Sequence, residues 1–190
     1  MKRICVYCGS RTGKRPAYAA AAEELGARLA QEKIELVYGG GCVGLMGVVA
    51  NAALRGGGHV IGVIPQALAR KEVVHEKLSD LRTVKTMHER KSLMAELADG
   101  FIALPGGYGT YEEFCEILTW SQLGWHHKPF GLLNVENFYQ SFLMFLDHAA
   151  DEGFIHQPNR DLVLVENNVG DMLMRLRQYV PPKSGRKILI

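Results

Sequence analysis

The sequence is short of net charge, of cysteine and of long apolar runs, and each shortage removes a class of function. Its 22 Lys and Arg against 20 Asp and Glu leave a formal charge of only +2, which does not build the broad basic field of a protein that lives on nucleic acid. A small anionic ligand is compatible with that balance. Four cysteines in 190 residues are too few for a stapled secreted framework, and no charged start with an apolar stretch and small-residue cleavage site opens the chain. A cytoplasmic location is expected. Gly, Arg, Glu or His breaks every apolar run before the roughly 20 residues that a membrane helix needs, so no membrane partner is expected. With 47% hydrophobic and 22% charged residues, the composition is that of a folded globule rather than a collagen, a coiled coil or a disordered tail.

What is present is an alternation. Arg3–Tyr7, Glu35–Tyr38, His59–Ile64, Leu81–Val84, Phe101–Leu104, Phe130–Asn134 and Leu162–Val165 are short, branched and bounded by Gly or Pro, and read as strands. Between them Ala17–Gln31, Met46–Arg55, Glu89–Ala98, Tyr111–Gln122 and Phe138–Asp151 carry apolar residues at helical spacing, with a last helix over Val169–Tyr179. Nearly continuous apolar strands separated by helices imply a mostly parallel sheet covered on both faces. The fold class is therefore α/β, a doubly wound single domain over residues 1–180 followed by a tail, 181–190, which opens on Pro181 and Pro182. In such a sheet ligands gather beyond the carboxyl ends of the strands. Glycine clusters there: Gly9 after the first strand, Gly39 to Gly41 after the second, and Gly106, Gly107 and Gly109 after the fifth.

Three short motifs carry less than they first suggest. Cys5 and Cys8 spell C-x-x-C, but inside an apolar strand whose period of two sends them to opposite faces, so structural thiols are expected. Gly39-Gly40-Gly41-Cys42-Val43-Gly44 satisfies the dinucleotide fingerprint, yet the acidic residue due about 20 positions later is missing from the end of the next strand. Gly9 to Lys14 is one residue short of a triphosphate loop and lacks the following Ser or Thr. His126 and His127, with no third ligand in view, read as surface residues, and no metal is expected.

The strongest run is Leu104-Pro105-Gly106-Gly107-Tyr108-Gly109-Thr110-Tyr111-Glu112-Glu113. Pro105 ends a strand, the glycines let main chain approach a ligand, and Thr110 stands where an N-cap would, with Glu113 three residues on. A capping box alone would explain Thr110 and Glu113. The additional acid at Glu112 points further, as does Met87-His88-Glu89-Arg90-Lys91, which puts two cations at the start of the preceding helix. Together they suggest a phosphate and a sugar held between cations, amides and carboxylates.

Pro105 to Glu113 matches the P-G-G-x-G-T-x-x-E signature of the Lonely Guy family, phosphoribohydrolases that release cytokinin bases from their riboside 5′-monophosphates. Met87 to Lys91 matches that family's M-H-x-R-K segment, and Val6 to Ser10 and Tyr38 through Gly47 also resemble it, so the likeness spans all but about the last ten residues. Some relatives have been labelled lysine decarboxylases, and bacterial members are similar to AMP nucleosidases. The resemblance implies a homodimer of Rossmann-like subunits with no metal and no redox cofactor. Carried over by position, it implies Arg90 and Glu113 as the catalytic pair. It sets Glu72, Lys91, Gly107, Tyr108, Gly109, Thr110, Tyr111, Glu112 and Thr119 around the nucleotide, AMP or an N6-substituted AMP. Glu113 would steady an oxocarbenium-like sugar and take the proton of the attacking water, Glu112 would hold ribose hydroxyls, and the amides from Gly107 to Thr110 would hold the phosphate. Two other readings stay open at this point: a nucleotide-binding sensor without turnover, and a pyridoxal-phosphate lysine decarboxylase built on Lys91.

Overall fold

A computed structural model describes residues 1–69 and 74–181. Seven strands alternate with helices: β1 (Arg3–Tyr7), α1 (Pro16–Gln31), β2 (Glu35–Tyr38), α2 (Gly44–Arg55), β3 (Val60–Pro65), α3 (Gln66–Ala69), β4 (Asp80–Val84), α4 (Met87–Leu97), β5 (Gly100–Ala103), α5 (Tyr108–Gln122), β6 (Phe130–Leu133), α6 (Gln140–Asp151), α7 (Gln157–Arg160), β7 (Val163–Glu166) and α8 (Val169–Gln178). All seven expected strands form, within one residue of the expected bounds at each end. The short α3 and α7, and a 3-10 turn over Val135–Asn137, carry too few residues to show a helical period.

The strands make one parallel sheet in the order β4-β3-β2-β1-β5-β6-β7. The chain winds outward from β1 to β4, then returns to lay β5 against β1, with Cys5 opposite Phe101 and Tyr7 opposite Ala103. That return makes the gap above β1 and β5 the topological switch point, where an open α/β sheet binds its ligands. The sheet and its helices form a single α/β domain.

Period-two alternation along the strands divides the interior in two. Ile4, Val6 and Cys8 pack with Leu25 and Leu29 of α1, Val49 of α2 and Met172 of α8 on one face. Cys5 and Tyr7 pack with Met94 of α4, Phe114 and Ile117 of α5 and Leu143 of α6 on the other. Cys5 and Cys8 thus lie on opposite faces, both buried and unpaired. The edge strand β4 departs from the continuous apolar pattern: its residues alternate between half-buried and exposed, and Arg82 pairs with Asp80 along the open edge, which discourages another chain from pairing there. No helix among the described residues is long and apolar enough to cross a membrane.

Candidate active site

Three strand-to-helix turns meet over the switch point. The Gly9 N–H donates to the Pro105 carbonyl at 3.1 Å, and the Leu45 N–H donates to the Gly9 carbonyl at 3.0 Å, so the turns after β1, β2 and β5 are stitched together through main chain. The third turn feeds α5. Its N-cap is Gly107, in extended backbone with φ −109°, and the N–H groups of Tyr108, Gly109 and Thr110 find no acceptor among the described residues. A side chain at Gly107 or Gly109 would meet nothing within 4 Å. The first amides of a helix, carrying the positive end of its dipole, therefore face open space, an arrangement that receives an anion.

Thr110 is not the N-cap expected from its spacing. The helix begins at Tyr108, and Thr110 is buried in its first turn against Gly106, where any Cβ would overlap the Thr110 hydroxyl. Glu113 accordingly falls in the second turn instead of at N3. Glycine has a low helix propensity and reads as loop, but first-turn residues need no acceptor four residues back, so Gly109 fits there. The capping box sits instead on α4: Thr86 Oγ1 accepts the Glu89 N–H at 3.1 Å and Glu89 Oε2 accepts the Lys85 N–H at 2.8 Å.

That box fixes the start of α4, which projects Arg90 inward. The Arg90 guanidinium lies against Gly39 at the end of β2, where a Cβ would collide with it, so glycine is required at that point of close approach. Arg90 Nη2 is 3.8 Å from Glu113 Oε1, with both side chains only 11% exposed. Arg90 Nε is buried without a hydrogen-bond partner among the described residues. Burial pushes the Glu113 carboxyl up to about 7; Arg90 opposes the rise, Glu112 and Glu116 add to it and Lys91 opposes it. A carboxyl poised there exchanges a proton at neutral pH, as a general acid or base must.

Lys91, one residue on, turns to a different pair. Its ammonium is 8% exposed and bridges Glu112 and Glu116, the latter at 3.0 Å. Burial alone would lower its pKa, but the hydrogen bonds to Glu112 and Glu116 outweigh that and raise it. Glu112, expected at ribose hydroxyls, is here the partner of Lys91. The other expected residues divide. Gly107, Gly109 and Thr110 form the helix start. Tyr108 is 93% exposed. Tyr111 stacks on Phe142 with centroids 6.2 Å apart and meets Tyr139 edge-on. Thr119 is exposed and donates to the Cys115 carbonyl at 2.7 Å, turned back on its own helix. Glu72 lies outside the described residues.

The remaining motifs settle into structural roles. The glycine turn after β2 is covered by the chain itself: Gly41 bridges Val74, and the His75 N–H donates to the Gly40 carbonyl at 3.1 Å. His75 is held in turn by Asn51 Oδ1, 3.0 Å from its Nε2. The thiols of Cys5 and Cys8 are pushed up by burial and then by the Glu113 charge, so neither is a nucleophile at neutral pH. His126 is half-buried, not a surface residue as expected; its Nε2 meets the Ile117 carbonyl at 3.1 Å and its ring tilts against Phe101. Sequence reasoning misses Glu116 and, although it places Gly39 among the glycines at the ligand end of the sheet, misses the role of Gly39 beneath Arg90. The only signal is position: Gly39 at the carboxyl end of β2, beside the central strand β1, and Glu116 four residues after Glu112 on one helix face.

Comparison with known proteins places the chain in a family. Residues 46–176 match the family model described as possible lysine decarboxylase. The chain is 53% identical over 180 residues to the cytokinin riboside 5′-monophosphate phosphoribohydrolase of Oryza sativa subsp. japonica, covering 95% of this chain and 74% of the relative. The chain belongs to the Lonely Guy family. A cytokinin riboside 5′-monophosphate phosphoribohydrolase of Arabidopsis thaliana is 52% identical, covering 95% of this chain and 83% of its own. More distant solved structures share the fold alone. The molybdenum cofactor carrier protein of Chlamydomonas reinhardtii has a TM-score of 0.70 at 22% identity, covering 93% of this chain and 96% of its own. The molybdenum cofactor binding protein of Rippkaea orientalis has a TM-score of 0.71 at 21%, covering 94% and 97%.

Proposed function

We propose that this Lonely Guy protein hydrolyses the N-glycosidic bond of purine riboside 5′-monophosphates, releasing the free base and ribose 5-phosphate. The observation that carries the reading is the convergence, at one switch point, of open helix amides with a buried Arg90–Glu113 pair. The phosphate sits at the amides of Tyr108, Gly109 and Thr110, and its binding energy positions the ribose. Cleavage breaks the C1′–N9 bond with its electron pair leaving on the purine, so positive charge develops on the sugar ring. The Glu113 carboxylate faces that charge and takes a proton from the water that adds to C1′; the departing base gains a proton. Arg90 favours the ionised form of Glu113, as its charge does in the ligand-free protein, and a planar guanidinium holds orientation that an ammonium would not. No metal or organic cofactor enters the scheme.

A decarboxylase reading fits these residues poorly. A Schiff-base lysine must shed its proton, whereas Lys91 is held cationic between two carboxylates. A sensor without turnover would have no use for a carboxyl kept from solvent and titrating near neutrality. We include in the proposal a cytoplasmic location, which the four free cysteines favour, and a homodimer, which would cover apolar side chains such as Phe154 and Trp125, 87% and 68% exposed. Sedimentation of the purified chain at its dimer mass is the expected result.

The activity test incubates the protein with AMP and with N6-isopentenyl AMP and assays free base and ribose 5-phosphate. At least one should be cleaved, and adenosine should be cleaved far more slowly. Glu113→Gln should bind AMP and lose roughly 10² to 10⁴ in turnover, the usual worth of one acid–base group. Unchanged turnover in that variant would remove Glu113 from the mechanism.

A further inference from the structure

The cluster between α4 and α5 holds one carboxylate more than the pair chemistry uses. Arg90 and Lys91 face Glu112, Glu113 and Glu116, and Glu116 appears neither in the signature nor among the residues carried over from the family. It is nonetheless more enclosed than Glu112: its side chain is 23% exposed against 54%, and its Oε2 is buried with no hydrogen-bond partner among the described residues. A buried carboxylate oxygen without a donor costs stability, so a residue serving the fold alone would do better as an amide or an apolar side chain.

We propose that Glu116 is a positioning residue for the hydrolysis: it is the fixed anchor of the Lys91 ammonium, while Glu112 is the partner that Lys91 exchanges when nucleotide binds. The asymmetry follows from exposure. Glu112 can swing into solvent, where its charge is hydrated and an exposed ion pair is worth about 0–1 kcal/mol in general. Glu116 cannot leave without stranding a buried charge on Lys91. When nucleotide enters, Glu112 yields its place at Lys91 and Glu116 keeps the ammonium aimed at the site. The same residue also acts on Glu113 through space. Among the described residues, the charged and titratable groups around Glu113 are Arg90 and Lys91 from α4, Glu112 and Glu116 from α5, Cys5 and Tyr7 from β1, and Cys8 just after it; of these Glu116 helps Glu113 keep its proton.

The inference rests on the hydrolase reading, and its test separates the two. AMP is titrated calorimetrically into Glu113→Gln protein, with and without Glu116→Gln or Glu112→Gln, so that binding is read without turnover. Glu116→Gln should weaken AMP binding roughly tenfold or more, the worth of one hydrogen bond to a charged group, and Glu112→Gln should weaken it less. On otherwise unaltered protein, Glu116→Gln should raise KM more than it lowers kcat and move the acid limb of kcat/KM to lower pH. Should the single variant fold poorly, Lys91→Gln with Glu116→Gln removes the stranded charge; that double variant should bind AMP no worse than Lys91→Gln alone. Binding within twofold of the parent in Glu116→Gln, a loss in Glu112→Gln as large as in Glu116→Gln, or additive losses in the double variant would overturn the anchor. Absence of base release from any monophosphate by the unaltered protein would overturn the hydrolase reading instead, while leaving the binding comparison intact.

Discussion

Glu113 holds its proton to about pH 7 because the protein around it is dry, an effect that Arg90 and Lys91 oppose and Glu112 and Glu116 reinforce. The unfolded chain releases that proton near the ordinary value of 4.5, so the folded state binds the proton more tightly. The carboxyl therefore costs nothing below about pH 4.5, costs progressively more as the pH rises to about 7, and a constant amount above. The shift corresponds to up to about 3 kcal/mol. Glu113→Gln, which cannot ionise, should be more stable than the parent by a margin that widens from pH 5 to pH 8; a margin that stays flat or narrows across urea titrations at those values would contradict the burial argument. At this scale the sequence is partly legible. Arg90 and Glu113 announce themselves through a signature. Glu116 is silent because a lone acid on an amphipathic helix looks like any solvated residue until the partner helix is in place. Gly39 is visible as one of a glycine cluster, but its contact with Arg90 is not, because that arginine comes from half a sheet away.

The start of α5 shows the same limit one scale up. The seven strands and the longer helices follow from period and punctuation, but the first turn of α5 does not, since three glycines within four residues, Gly106 to Gly109, read as loop. Close packing decides it: the Gly9 main chain lies against Gly106 from the neighbouring turn, Thr110 packs on Gly106 within the helix's own first turn, and Gly107 caps the helix with main chain. The glycine at position 109 is thus a helical residue kept without a side chain. Gly109→Ala should raise stability by about 0.5–1 kcal/mol, the helix-propensity difference, because its Cβ meets nothing within 4 Å. The same methyl would occupy the space over the open amides. The variant is expected to melt higher and to show a KM for AMP raised roughly tenfold or more, a loss on the order of one good anion contact. A higher melting point with an unaltered KM would put the phosphate elsewhere.

Across the whole molecule, strand order is what sequence cannot supply, because alternation of strands and helices is equally compatible with several windings. The observed order buries β1 and β5 at the centre and leaves β4 and β7 at the edges. Amide hydrogen exchange should follow it: Ile4 to Tyr7 and Phe101 to Ala103 should exchange only through global unfolding, and Asp80 to Val84, half exposed on the open edge, should exchange sooner through local opening. Equal protection of β4 and β1 would argue against the layering. The same order has a bearing on inheritance. Among the described residues, 87–119 supply every charged group of the proposed hydrolytic cluster, yet the bare floor on which Arg90 rests is Gly39, from a strand two places away. A gene fragment carrying 87–119 into another open sheet would bring the charges and not the clearance. Such a chimera would stay inert until its recipient also surrendered a side chain beneath the arginine.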